Sequence, residues 1–205
     1  MLAITVDVAQ MKLALIGNGS AAERRLAWLD EAGAGNLTVY ADQPGAALAR
    51  AAGHRLVRGL PSGEELAGTR IVFIAEPQSL PAQELAKSAR AAGAFVHVED
   101  DKALSDLHAP ATLRRGDLLI AVSTGGKSPG LAAEAKRFLA ALFGPEWRGR
   151  LDDLAALRRV WRQGGADPET IRRRTAEWTR QQGWLAAPPS SAGGAPRRAP
   201  PTWTH

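Results

Sequence analysis

The 205-residue chain has no cysteine. A disulfide framework, a Cys-ligated zinc and a thiol nucleophile are therefore excluded. No stretch reaches the roughly 18 uninterrupted apolar residues that read as a membrane-spanning helix. The opening residues, MLAITVDVAQMKLALIG, place Asp7 early and lack both a basic region and a small-residue cleavage site. No secretory leader is expected from them, and the expected location is cytoplasmic, with no membrane partner. Histidines are few and scattered: His54 and His108 have no partner at metal-ligand spacing, and His97 reads as strand packing. No metal site is expected.

Positive charge is abundant in only one part of the chain. The net charge is +5 and the pI about 10.2. Residues 1–144 carry 15 Lys+Arg against 15 Asp+Glu, whereas residues 145–205 carry 11 against 6. Five of the six tryptophans lie in that second part (Trp147, Trp161, Trp178, Trp184 and Trp203). The basicity belongs to two helical stretches and a tail without a base-reading motif, so no nucleic-acid partner is expected.

Apolar runs alternate with helical patterns. Lys12–Ile16, Leu37–Tyr40, His54–Val57, Arg70–Ala75, Phe95–Val98 and Asp117–Ser123 read as strands. Ser20–Ala32, Pro44–Ala52, Leu80–Ala92 and Pro129–Leu142 read as helices, and 99–116 as irregular. Continuous apolar strands alternating with helices predict an α/β fold with a parallel sheet covered on both faces. Beyond Gly144, Trp147–Trp161 and Pro168–Gln182 predict two amphipathic helices, the second with Asp167 as N-cap and Pro168 in its first turn. The Pro/Gly/Ala/Ser-rich residues 186–205 predict a disordered tail.

Strand KLALI runs into Gly17-Asn18-Gly19-Ser20-Ala21-Ala22 and then a helix. This G-x-G-x-x-A pattern, in strand–turn–helix context, is a dinucleotide fingerprint. Gly17 suits a tight turn, Gly19 admits a pyrophosphate close to the backbone, and Ala22 allows close helix–strand packing. The helix N-terminus supplies unpaired amides and a positive dipole end. The next strand ends at Asp42, whose carboxylate suits a ribose hydroxyl and repels a 2′-phosphate, which favours NAD over NADP.

A second glycine loop, Ser123-Thr124-Gly125-Gly126-Lys127-Ser128, also joins a strand to a helix. Three readings stand side by side: a relaxed phosphate loop, an anion site for cofactor or substrate carboxylates, and an N-cap followed by Pro129. The phosphate-loop reading lacks a later strand ending in a magnesium-binding Asp. The strand FVHV ends in Glu99-Asp100-Asp101, where a carboxylate faces the ligand crevice of such sheets and could serve as general acid or base.

Together these motifs resemble the siroheme-synthase dehydrogenase family, the precorrin-2 dehydrogenases, some of which also act as sirohydrochlorin ferrochelatases. The Leu2–Val8 leader followed by Lys12–Arg25 resembles the family's opening. Phe95–Asp101 is similar to its N-V-V-D strand end, and Leu119–Ala132 to its S-[ST]-G-G-x-S-P-x-L-A segment. The resemblance runs over roughly residues 2–182, and the uroporphyrinogen methyltransferase domain fused in some relatives is not expected here.

The resemblance implies a Rossmann-like parallel sheet with a small C-terminal helical domain. It divides the chain into an NAD-binding region 1–112, a middle dimerisation region 113–146, a helical domain 147–185 and the tail 186–205. It implies NAD-dependent oxidation of precorrin-2 to sirohydrochlorin by a homodimer on the route to siroheme, with insertion of ferrous iron in some members. The catalytic aspartate falls on Asp100. The family's cofactor contacts fall on Gly19, Ser20, Ala21, Asp42 and Gln43; Gly17, Asn18 and Ala75 are expected to complete the cofactor site, and Ser123, Thr124, Gly125, Gly126, Lys127 and Ser128 are the expected substrate contacts. The sequence also departs from the family. His97 stands for Asn and Glu99 for an apolar residue; Asp106-Leu107 stands for a small residue and Phe. Ala75-Glu76-Pro77 stands for an A-A-T-D/N element, and Pro77 removes a backbone donor. A member that binds NAD or tetrapyrrole without turnover is the alternative reading.

Overall fold

A computed structural model describes residues 2–185; the tail expected at 186–205 lies outside the described residues. Two compact units are present. Among the described residues the first comprises 2–112 together with Ala121–Phe138, and the second Leu113–Ile120 with 139–185.

The first unit is built on five parallel strands, β1 (Lys12–Ile16), β2 (Asn36–Ala41), β3 (Leu56–Arg58), β4 (Ile71–Ile74) and β5 (Phe95–Val98). Their order is β3-β2-β1-β4-β5. Helices α1 (Ser20–Glu31), α2 (Ala46–Ala52) and α3 (Ala82–Ala91) connect them. The period-two alternation of a strand sends successive side chains to opposite faces. Accordingly Leu13, Leu15, Val39 and Phe73 pack with Leu26, Leu29 and Leu48 in one core layer. Ala14, Ile16, Val72, Ile74, Val96 and Val98 pack with Leu85, Ala86 and Ala89 in the other. This is why β1 and β4 read as uninterrupted apolar runs: both faces are buried.

The chain leaves β1 towards β2 on one side, then returns to place β4 on its other side. The reversal of strand order lies between β1 and β4, and ligands of open α/β sheets bind at the carboxyl ends beside such a reversal. Register pairs Ile16 with Ile74. The segments that follow these two residues, the first glycine loop and Ala75-Glu76-Pro77, are thereby brought side by side.

The expected strand Asp117–Ser123 is Leu118–Val122 (β7), and it does not join the parallel sheet. It pairs instead with Ala111–Arg115 (β6), inside the stretch expected to be irregular. The physical reason is exposure. β7 is half-exposed throughout, so its apolar run covers one surface rather than filling a two-sided core.

Helix α4 (Pro129–Leu142) follows, and then α5 (Trp147–Gln163) and α6 (Pro168–Gln181), as the periodicity predicts. Asp167 caps α6 by accepting the Thr170 amide at 2.7 Å. In the second unit Trp147 is buried, with Phe143 at 4.8 Å and Trp184 at 6.1 Å between ring centroids. Arg150 lies over both Trp147 and Trp184, and Arg174 over Trp161. Arg150, Arg172 and Arg173 also pair with Glu146, Glu169 and Glu177 one helical turn away. Much of this region's arginine is thus engaged with its own tryptophans and carboxylates. Among the described residues no helix is long and apolar enough to cross a membrane.

Candidate functional site

The first glycine loop joins β1 to α1 at the strand-order reversal. The Gly17 amide donates to the Tyr40 carbonyl at 3.0 Å. Neither Gly17 nor Gly19 has a positive φ, so the loop does not need glycine for a left-handed turn. Glycine is required by proximity. A Cβ on Gly17 would lie 2.8 Å from the Ala22 Cβ and 3.2 Å from the Ala75 Cβ. Ala75 is buried in this packing, so the side chain that reaches the loop from β4 is that of Glu76.

Glu76 occupies the amide cradle. One carboxylate oxygen, Oε2, accepts the amides of Asn18 at 3.0 Å and Gly19 at 2.8 Å. The other, Oε1, accepts the Ala21 amide at 3.0 Å. A Cβ on Gly19 would lie 2.8 Å from Oε1. Gly19 is the N-cap of α1 and has no side chain of its own to offer, so Glu76 satisfies the helix's leading amides from across the sheet. Burial raises the Glu76 pKa, but the amides of Gly19, Asn18, Ala21 and Ala22 outweigh it and hold the group below the usual carboxylate range. The sequence showed this residue only as a departure at a strand end. Its significance comes from the pairing of β1 with β4, which brings together positions 57 residues apart.

The rest of the expected cofactor site converges on the same edge. The Asn18 side chain donates to Asp42 at 2.7 Å and accepts the Gln43 amide at 3.0 Å. Asn18 thus fastens the end of β2 to the loop. Asp42 and Gln43 are exposed there, as is Ser20 at the start of α1. In its donors the cradle fits a pyrophosphate, with unpaired-in-helix amides, a positive dipole end and a nearby carboxylate for a ribose hydroxyl. The anion it holds is the protein's own.

Two strands away, β5 ends in the acidic run. The Glu99 amide donates to the Ile74 carbonyl, and its carboxylate pairs with Arg25 at 2.7 Å. Arg25 lies against the rings of Trp28 and Phe73 and 3.2 Å from His97 Nε2. Asp101 turns back to bridge Val98 and accepts the Leu104 amide. Between these anchored neighbours Asp100 takes a left-handed conformation, φ 56°, which puts its carboxylate at the surface. It lines an open cleft of about 530 Å³ with Glu99, Asp101, Pro77, Gln78 and Glu84. A smaller cleft of about 290 Å³ is lined by Arg24, Arg25, Trp28, Thr112 and Lys136 and is basic. No sequence motif marks this grouping, because it brings together Arg25, Thr112 and Lys136 from distant parts of the chain.

The second glycine loop closes on itself. Thr124 Oγ1 donates to the Ser128 carbonyl and accepts the Ser128 amide, the Lys127 amide donates to the Thr124 carbonyl, and the Gly125 amide donates to Ser123 Oγ. Ser128 Oγ accepts the Leu131 amide at the start of α4. These amides are spent within the loop, and the preceding strand lies outside the parallel sheet, so the phosphate-loop reading has no support. Lys102, two residues beyond Asp100, donates to the Gly125 carbonyl at 3.0 Å and ties Ser123–Ser128 to the acidic turn. Among the described residues no three His, Asp or Glu side chains converge as a metal site.

The class defined by this sheet order and by the amide cradle at its reversal point is that of dinucleotide-binding α/β domains. Residues 4–111, just over half the chain, match a family model described as putative NAD(P)-binding, and the chain belongs to that family. It is 31% identical over 170 residues to a siroheme synthase of Tolumonas auensis, covering 76% of this chain and 36% of that protein. A siroheme synthase of Methylococcus capsulatus is 32% identical over 175 residues, covering 83% and 36%. The chain thus spans about a third of the length of these relatives. Among solved structures, SirC, a precorrin-2 dehydrogenase, shares the fold with a TM-score of 0.70, at 20% identity and covering 91% of this chain and 93% of that one.

Proposed function

We propose that the chain oxidises precorrin-2 to sirohydrochlorin with NAD, on the route to siroheme. The observation that carries the reading is one shared edge. The amides of Asn18, Gly19 and Ala21 at the end of β1 and the exposed Asp100 at the end of β5 sit at the carboxyl side of the same parallel sheet. Kinship with siroheme synthases supports the choice of substrate.

The loop amides hold a pyrophosphate in this reading, and Asp42 accepts from an adenosine ribose hydroxyl, which selects NAD over NADP. The dinucleotide, when bound, supplies the hydride acceptor. The reaction removes a hydride and a proton from the reduced macrocycle, and Asp100 accepts the proton. Ser123–Ser128, tied to the acidic turn by Lys102, contributes hydroxyls and Lys127 towards the substrate carboxylates. The assembly is a homodimer.

The test is formation of reduced nicotinamide and sirohydrochlorin from precorrin-2 by wild type and by Asp100→Asn. Turnover by wild type with loss in the variant supports the reading, and normal turnover by the variant contradicts the role of Asp100. Adding ferrous iron to the same reaction tests the chelatase step through the appearance of siroheme. The competing reading, a binding protein without turnover, is favoured by one observation, the Glu76 carboxylate in the cradle.

A further inference from the structure

The amides that a dinucleotide pyrophosphate would use are already committed. Asn18 and Gly19 donate to Glu76 Oε2, and Ala21 to Oε1. A carboxylate and a phosphate are both anions that accept from the same N–H groups, so the two cannot share the cradle. The space is taken as well as the donors, because the face of Gly19 where a phosphate would approach is covered by Oε1.

The backbone of Glu76 is set for this contact. It is left-handed (φ 62°, ψ 52°), a conformation uncommon for a residue with a side chain. The following Pro77 disfavours a right-handed helical backbone at Glu76. Ser79 donates to the Glu76 carbonyl from both its amide and its hydroxyl, each at 3.0 Å. The packing of Ala75 against Gly17 fixes the strand end one residue earlier. The carboxylate is only half-buried, so water can receive it when it leaves the cradle.

We propose that Glu76 is a latch, an internal anion that occupies the pyrophosphate cradle and must be displaced before a dinucleotide binds. The proposal rests on reading this loop as the dinucleotide site. The apparent affinity of a site falls with the fraction of molecules competent to bind. A cradle latched about 90% of the time weakens binding about tenfold. The latch also excludes other small anions, so it sets which phosphate compounds the chain retains.

The experiment is calorimetric titration of the full chain and of its Glu76→Gln and Glu76→Thr variants, with NAD and separately with inorganic pyrophosphate. Amide resonances of Gly19 and Ala21 are followed by NMR. Glu76→Gln preserves shape and keeps a weak acceptor for the amides; Glu76→Thr empties the cradle, and thermal melting verifies that each variant is folded. The latch predicts that both variants bind pyrophosphate and NAD about tenfold or more tightly than wild type, with ligand-induced shifts at Gly19 and Ala21. Equal affinities in all three proteins overturn the latch while leaving the dinucleotide reading intact. Tighter pyrophosphate binding by the variants, with no NAD binding by any protein, upholds the latch and overturns the dinucleotide reading. Failure of all three to bind either probe overturns both.

Discussion

Arg25 and Glu99 form an ion pair of 2.7 Å between the first helix and the end of the fifth strand, with both side chains largely buried. Arg25 is sandwiched by this contact, by His97 and by the rings of Trp28 and Phe73. It therefore fixes the residue that immediately precedes Asp100. Replacing Arg25 by Met leaves the Glu99 carboxylate without its partner, and a charged group stripped of a buried hydrogen bond costs about 2 kcal/mol. Urea denaturation should show a loss of that size. Arg25→Lys should recover only part of it, because an ammonium cannot reproduce the planar stacking.

His97 carries a pH dependence of stability. Burial lowers its pKa first, and the Arg25 guanidinium and His108 push the same way; the Leu107 carbonyl and Glu99 oppose them. Nδ1 lies 3.1 Å from the Leu107 carbonyl, which can only accept, so the proton is assigned to Nδ1 and Nε2 accepts from Arg25. The unfolded chain takes up a proton near pH 6.5, whereas the folded protein does so only at lower pH. Between those values the unfolded state binds more protons, so stability rises with pH and is lost as pH falls below about 6.5. Calorimetry from pH 7.5 to 5.5 should show a falling Tm in wild type and a flatter profile in His97→Gln. Parallel profiles would contradict this assignment.

The two loop glycines should respond differently to alanine. The new methyl on Gly17 meets the Ala22 and Ala75 Cβ atoms, which belong to the packed backbone of α1 and the end of β4. Overpacking of that kind costs about 1–3 kcal/mol. At Gly19 the methyl meets only the far end of the Glu76 side chain, which can rotate away. Gly17→Ala should therefore lower the denaturation midpoint clearly and Gly19→Ala only slightly. Gly19→Ala should also shift the Ala21 amide resonance as Glu76 is expelled.

Asp100 is exposed in a left-handed turn, with its neighbours and not itself holding the turn in place. Asp100→Asn, which keeps a residue type that tolerates the left-handed conformation, should leave the melting temperature and NAD affinity near their wild-type values. In its proposed role as proton acceptor Asp100 should account for about 10²–10⁴-fold in kcat. A fall in NAD affinity instead of kcat would place this residue in cofactor binding.

Much of the sheet was legible because strands such as KLALI and IVFI are apolar on both faces, and each of these two leads into a helix that ends just before a glycine, Gly33 and Gly93. The hairpin of β6 and β7 was not. Ala111–Arg115 holds two arginines and is half-exposed, so it makes no apolar run, although Gly116-Asp117 between the two runs is a hairpin signal. At the site, the loop, Asp42 and Asp100 were legible as local strand-end motifs. Glu76 was visible only as an oddity, because its contact with the loop depends on which strand lies beside β1, and that pairing is non-local. The Arg25–His97–Glu99 cluster was hidden for the same reason.

The proposed reaction is transfer of hydride from precorrin-2 to a nicotinamide dinucleotide held by the first glycine loop. The decisive measurement is a single-turnover reaction of the purified chain with precorrin-2, run with NAD and with NADP. Reduced NAD and sirohydrochlorin should appear together in equal amounts, faster than with NADP, and faster still once Glu76→Thr opens the cradle. Absence of reduced dinucleotide from both wild type and Glu76→Thr, each folded and supplied with either nucleotide, would contradict it.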